Sequence, residues 1–157
     1  MQGQWYITSK NHPMSRIFTL AFIAVIFSGC IKTDIIADDR DLVGTWKVTG
    51  IRSDRAFDWN GDSYTETDIY STYTYCQRDI ILIFDERGYG RVRQGCTAPW
   101  QNLYWYLTNG NTRLIIELPG DDLHLDLVQF NYNTIKGEDR VFVNGEYYTI
   151  TYTLTRW

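Results

Sequence analysis

Val141-Phe142-Val143-Asn144-Gly145-Glu146-Tyr147-Tyr148-Thr149-Ile150-Thr151-Tyr152-Thr153-Leu154-Thr155-Arg156 runs up to the last residue, Trp157. It holds two strand-like runs either side of Asn-Gly, the pair favoured in a type I′ turn because both central residues need positive φ. A two-residue turn at Asn144-Gly145 sets Val141 opposite Tyr148. It gives one face to Tyr148, Ile150, Tyr152 and Leu154, and the other to Thr149, Thr151, Thr153 and Thr155 opposite Arg140, Glu138 and Lys136. The first set should point inward. Asp139 then falls on the inner face opposite Ile150, where it needs a partner, water or a place near a barrel mouth.

The same reading extends backward along the chain. Asn109-Gly110 divides Tyr104–Thr108 from Thr112–Leu118, while 85–88 (Asp-Glu-Arg-Gly) and 119–122 (Pro-Gly-Asp-Asp) supply two further turns. Eight strands follow: 42–51, 79–85, 88–94, 102–108, 112–118, 123–130, 134–143 and 145–156. No segment in this part of the chain keeps a long 3.6-residue apolar period. Short connections between eight antiparallel strands predict an all-β, up-and-down barrel, which leaves no free edges and can hold one small ligand. The 6 Trp, 12 Tyr and 7 Phe fit strands better than helices.

Ahead of this domain, Ile17–Phe27 is an apolar run of eleven residues with one polar member, behind Arg16 and before Ser28-Gly29-Cys30. It is too short to span a bilayer, which takes about 20 apolar residues, and has the length of a signal-peptide hydrophobic region. Residues 1–29 are therefore expected to be a signal peptide. Residues 1–13 fit neither a signal nor a fold element, so Met14 stands as a second candidate start. Residues 30–41 read as a tether and 42–157 as the folded domain. Net charge is -4 overall. Residues 1–29 hold Lys10 and Arg16 and no acid, so the remainder has 13 basic against 19 acidic side chains. With no basic stripe, a nucleic-acid partner is not expected.

Phe27-Ser28-Gly29-Cys30 resembles the lipobox of bacterial lipoproteins, with Phe27 standing where Leu or another aliphatic residue is usual. The resemblance implies cleavage before Cys30 and lipid on its sulfur, hence a membrane partner and a place in the bacterial cell envelope. The outer membrane is expected, facing the periplasm or the surface. Acyl methylenes contribute about 0.8 kcal/mol each, so two or three chains make attachment effectively permanent. An ordinary signal peptide with a free Cys is the competing reading.

Leu42-Val43-Gly44-Thr45-Trp46-Lys47-Val48 resembles the Gly-x-Trp opening strand of lipocalins and of the lipocalin-like lipoproteins common in Bacteroidetes. The Cys-x-x-Asp before an apolar strand, a second Cys and the Tyr-x-Leu-Thr-Arg ending extend the likeness over the domain. It implies that Trp46 closes one end of the barrel and packs against Arg156, with Gly44 as the third member of this fold signature. It also implies that the first long loop covers the open end. On that analogy Phe57, Trp59 and Tyr64 from the loop between Arg52 and Arg78, with Trp105, Tyr148 and Tyr152 from the strands, are the candidate ligand contacts. Packing over the mouth or the outer wall is their ordinary alternative.

Cys76 and Cys96 form an even pair placed symmetrically about the turn at Glu86-Arg87, so a disulfide is within reach and expected in an oxidising compartment. No cofactor or metal is expected. Asp58-Trp59-Asn60-Gly61-Asp62, with Glu66, offers oxygen ligands, but its Gly falls one place early for an EF-hand, and an Asx-rich turn is the ordinary reading. His124 should point outward, away from Leu123, Leu125 and Leu127. No residue set argues for an enzyme. The expected function is a membrane-anchored carrier of a small, partly apolar ligand. The alternatives are a filled barrel gripping another protein, as in lysozyme-inhibitor lipoproteins, or an accessory of an envelope complex. A cavity of roughly 300 Å³ or more separates the first from the second.

Overall fold

A computed structural model describes residues 37–157. The signal segment, Cys30 and tether residues 31–36 lie outside the described residues. The elements are α1 (Asp39–Leu42), β1 (Gly44–Phe57), β2 (Glu66–Asp68), α2 (Ile69–Thr72), β3 (Ile80–Phe84), β4 (Tyr89–Gln94), β5 (Gln101–Thr108), β6 (Arg113–Glu117), β7 (Asp122–Asn131), β8 (Thr134–Val143) and β9 (Glu146–Arg156). Strands β1 and β3 to β9 pair antiparallel with their sequence neighbours, and β1 pairs again with β9. That last pairing closes an eight-stranded, up-and-down, lipocalin-like barrel.

The ninth strand is an accessory. Arg52 of β1 faces Thr151 of β9 on one edge and Asp68 of β2 on the other, so β2 occupies the edge that β3 leaves after Lys47. With partners on both sides, β1 runs on past Ile51 to Phe57, and the long connection expected from Arg52 shrinks accordingly. The register of β1 against β9 shifts between Val48 and Gly50. Trp46 and Val48 face inward before this bulge, Ile51, Ser53 and Phe57 after it. A bulge inserts one residue and reverses the inward parity, which strict alternation along 42–51 could not anticipate. The tether residues that are described, 37–41, are packed at their start: Ala37 is buried and its N–H donates to the Asn111 carbonyl at 3.1 Å.

The closing hairpin has the register read from sequence: Val143 pairs with Glu146, Val141 with Tyr148 and Asp139 with Ile150. Asn144 and Gly145 have φ of 51° and 87°. The other Asn-Gly hairpin is longer than expected. Residues 109–112 all lie between the paired Thr108 and Arg113, with Asn109, Gly110 and Asn111 at positive φ.

Cys76 and Cys96 are disulfide-bonded with Cα atoms 4.9 Å apart. The bridge joins the segment before β3 to the one after β4, just beyond the pair Ile80 and Gln94. The adjacent Asp79 carboxylate accepts from Lys47 at 3.2 Å and Arg93 at 2.8 Å.

Candidate functional site: a barrel cavity open at one end

The two ends of the barrel are built differently. At the end where β1 begins and β9 finishes, Trp46 is fully buried and its indole N–H donates to the Leu42 carbonyl at 2.7 Å. The Arg156 guanidinium lies 4.4 Å from the Trp46 ring and 4.5 Å from the Tyr132 ring. It donates to the carbonyls of Tyr132 at 2.6 Å, Val43 at 3.0 Å and Asp41 at 2.6 Å. A planar fork of five donors suits such multiple acceptance, and the rings on its faces add cation-π attraction. Gly44 makes the arrangement possible. A Cβ there would lie 2.5 Å from the Arg156 Nη1, and its φ of +139° is one that side-chain-bearing residues rarely adopt. Gly44, Trp46 and Arg156 thus form one plug.

At the opposite end the core is hollow. A cavity of about 310 Å³ opens between the ends of β1, β6 and β8 and the starts of β3, β7 and β9. Its depths are apolar: Val48, Leu82, Val92, Ile116 and Leu154. Around the mouth stand Trp59, Tyr73, Asp121, Asp122 and Asp139, with Ile150 paired to Asp139 and Tyr152 one inward position further in. The loop bearing Trp59 and Tyr73 is tied down. The Tyr70 hydroxyl lies 2.9 Å from the Val48 carbonyl and 3.1 Å from that of Arg78. The Arg78 guanidinium returns to the carbonyls of Tyr73 and Ser71 at 2.9 and 2.6 Å.

Charges in the cavity lining are of one sign, while on the outer side of the opening Asp121, Asp122 and Asp139 adjoin Arg113, His124 and Arg140. The lining holds three carboxylates and no Lys, Arg or His. Asp139 accepts from the Arg140 backbone N–H at 2.7 Å. Burial, then the negative charges of Asp139 and neighbours including Asp121, push the Tyr152 hydroxyl up to about 12. Burial raises Tyr73 as well.

Of the six aromatics singled out in the sequence, Phe57, Trp59 and Tyr152 line the cavity. Tyr148, Trp105 and Tyr64 do not. Tyr148 stacks on Phe57 at 4.4 Å with Arg55 across it at 4.7 Å. Trp105 fills the plugged half, packed on Phe84 at 5.3 Å and donating to the Tyr89 carbonyl at 3.0 Å. Tyr64 is 74% exposed. The Asp58 carboxylate accepts from the N–H groups of Gly61, Asp62 and Ser63 at 2.7, 3.1 and 2.9 Å, an Asx-type turn that turns Tyr64 outward. That turn uses the oxygens a cation would have needed, and among the described residues no three His, Cys, Asp or Glu gather as metal ligands. His124 is exposed on the outer wall opposite Ile115.

The loop aromatic Tyr73 lines the cavity as well, and so do Gln94, Asp121 and Asp122, which had not been singled out. Strand alternation could find Asp139, and Gln94 by its parity with Val92, but Asp121 in the turn and Asp122 at the strand end have no period to reveal which way they point.

A closed eight-stranded barrel, plugged at one end and hollow beneath the other, places the molecule in the lipocalin-like class of fold. The chain belongs to the family described as "Domain of unknown function (DUF5004)", which matches residues 26–154. No curated protein matches it. Among solved structures it is similar to bovine odorant binding protein in complex with a selenium-containing odorant. That likeness has 14% identity and a TM-score of 0.41, covering 78% of this chain and 74% of the other.

Proposed function

We propose that this protein is a lipid-anchored carrier that holds a small, partly apolar molecule in the open half of its barrel. The observation that carries the reading is the 310 Å³ cavity with apolar depths. Ligand pockets begin at about 300 Å³, whereas well-packed interiors leave only water-sized voids. The cavity therefore favours a carrier over a filled barrel that works through its surface alone. The tied-down loop at the mouth adds to this, because a preformed site loses less freedom on binding.

The anchor is part of the same proposal. Export through residues 1–29 and acylation of Cys30 would hold the barrel at a membrane of the cell envelope, and the family match takes in Cys30. Native mass spectrometry of the protein purified gently from its own cells, set against its denatured mass, tests the carrier reading. A released small molecule supports it, and a clean apo mass from several growth conditions overturns it. Replacing Cys30→Ser tests the anchor: the protein should leave the membrane fraction and lose the mass of the acyl chains.

A further inference from the structure

We infer that the ligand carries a positive charge: an amphiphilic amine or related cation, apolar body inside the barrel and charged head at the mouth. The inference rests on the carrier reading above and goes on to name the ligand class. Asp121 ends the β6–β7 turn and Asp122 begins β7, and Asp139 reaches the same opening from β8, next to Tyr152. Among the described residues none of the three carboxylates forms an ion pair, while Asp38, Asp68, Asp79, Asp126 and Glu146 all do. Asp139 is set on the inner face by the β8–β9 register, opposite Ile150. An acid at an inward-facing position, with no cation in the cavity lining and with Arg113 engaged by Asp126 on the outer side, leaves negative potential in a concave, low-dielectric setting where field lines concentrate.

The rest of the mouth suits the same head group. Trp59 and Tyr73 both line the cavity, their tilted rings 6.3 Å apart, and put aromatic surface where a cation could meet it. The Tyr152 hydroxyl can accept a hydrogen bond from an ammonium. Inside the cavity a carboxylate ligand would meet three like charges and no base in the lining, and a neutral alcohol there would meet no cation. With 310 Å³, at the small end of the usual range, the body is one short alkyl chain or a single ring system.

Calorimetric titration of the purified full chain with octylamine, 1-octanol and octanoate tests this, since the three share one chain and differ only in the head. Octylamine should bind about tenfold tighter than octanol, with octanoate weakest. Added salt should weaken octylamine and leave octanol unchanged. Asp139→Asn should bring octylamine close to octanol. The exposed Asp121→Asn should move it partway, so one informative variant remains if Asp139→Asn fails to fold. Equal binding of all three, or tighter octanoate, overturns the cationic assignment and leaves the carrier reading standing. Binding of none of them overturns both.

Discussion

The plugged end and the open end of this barrel come from the same strands, yet one is filled to contact and the other is hollow. At the plug, Trp46, Phe84 and Trp105 bring large rings into a space that Gly44 keeps free for Arg156. At the open end the inward positions of the same strands carry branched aliphatics such as Val48, Val92 and Ile150, which coat the wall without reaching the centre. Side-chain size along each strand, rather than strand number, decides which half can take a ligand. The difference also assigns roles: the plug should govern stability and the open half binding.

The largest effect should come from breaking the plug. Trp46→Ala removes a fully buried indole and leaves the Arg156 guanidinium without one of its two rings, so unfolding free energy should fall by about 3–5 kcal/mol in urea denaturation. If the open end is as important to stability as the plug, the cavity-lining Val92→Ala will lose as much, and the proposed division of labour fails.

Next comes the covalent tie of the open end. Replacing both Cys76 and Cys96 by Ser should lower stability by about 3 kcal/mol, for a sequence separation of 20 residues. The same comparison under reducing and oxidising conditions should reproduce the loss in the parent protein and show none in the double variant.

Binding should respond in the opposite order. Val141→Phe places a ring at the mouth of the cavity, where there is space to receive it. It should weaken octylamine at least tenfold while changing stability by less than about 1 kcal/mol, because overpacking is costly only where a core is already filled. Trp46→Ala should do the reverse at temperatures where it stays folded.

How far the sequence reveals this division depends on which residues report it. The last hairpin was legible in full, because Asn144-Gly145 fixes a two-residue turn and the Thr and aromatic alternation fixes the faces. The plug was legible through Gly-x-Trp and the terminal Arg. The β1 extension was not, since it depends on β2 pairing across a distance that no local pattern records. The bulge at Thr49 was equally hidden: it reverses parity within one strand and looks in sequence like a strand end. Of the cavity, the strand residues Tyr152 and Asp139 could be placed inward by counting. Trp105 obeys the same count yet lands in the plugged half, because alternation gives the face of a residue and says less about its depth along the barrel axis.

The smallest effect concerns Tyr152, and only at high pH. Burial and the nearby carboxylates raise its hydroxyl in the folded protein to about 12, from the ordinary value of 10.0. Below pH 10 both folded and unfolded chains keep the proton, so the group adds no pH dependence. Between about 10 and 12 the unfolded chain ionises first and the folded one resists, so stability falls as pH rises and levels off once both have ionised. Tyr152→Phe keeps the ring and removes the titration. Its alkaline limb should be flatter than that of the parent, while the other tyrosines, present in both proteins, cancel in the difference. If the mouth of the cavity is instead as polar as open solvent, Tyr152 will titrate near 10 in both states. The two pH profiles will then coincide, and with them would go the low-dielectric mouth on which discrimination between charged and neutral head groups depends.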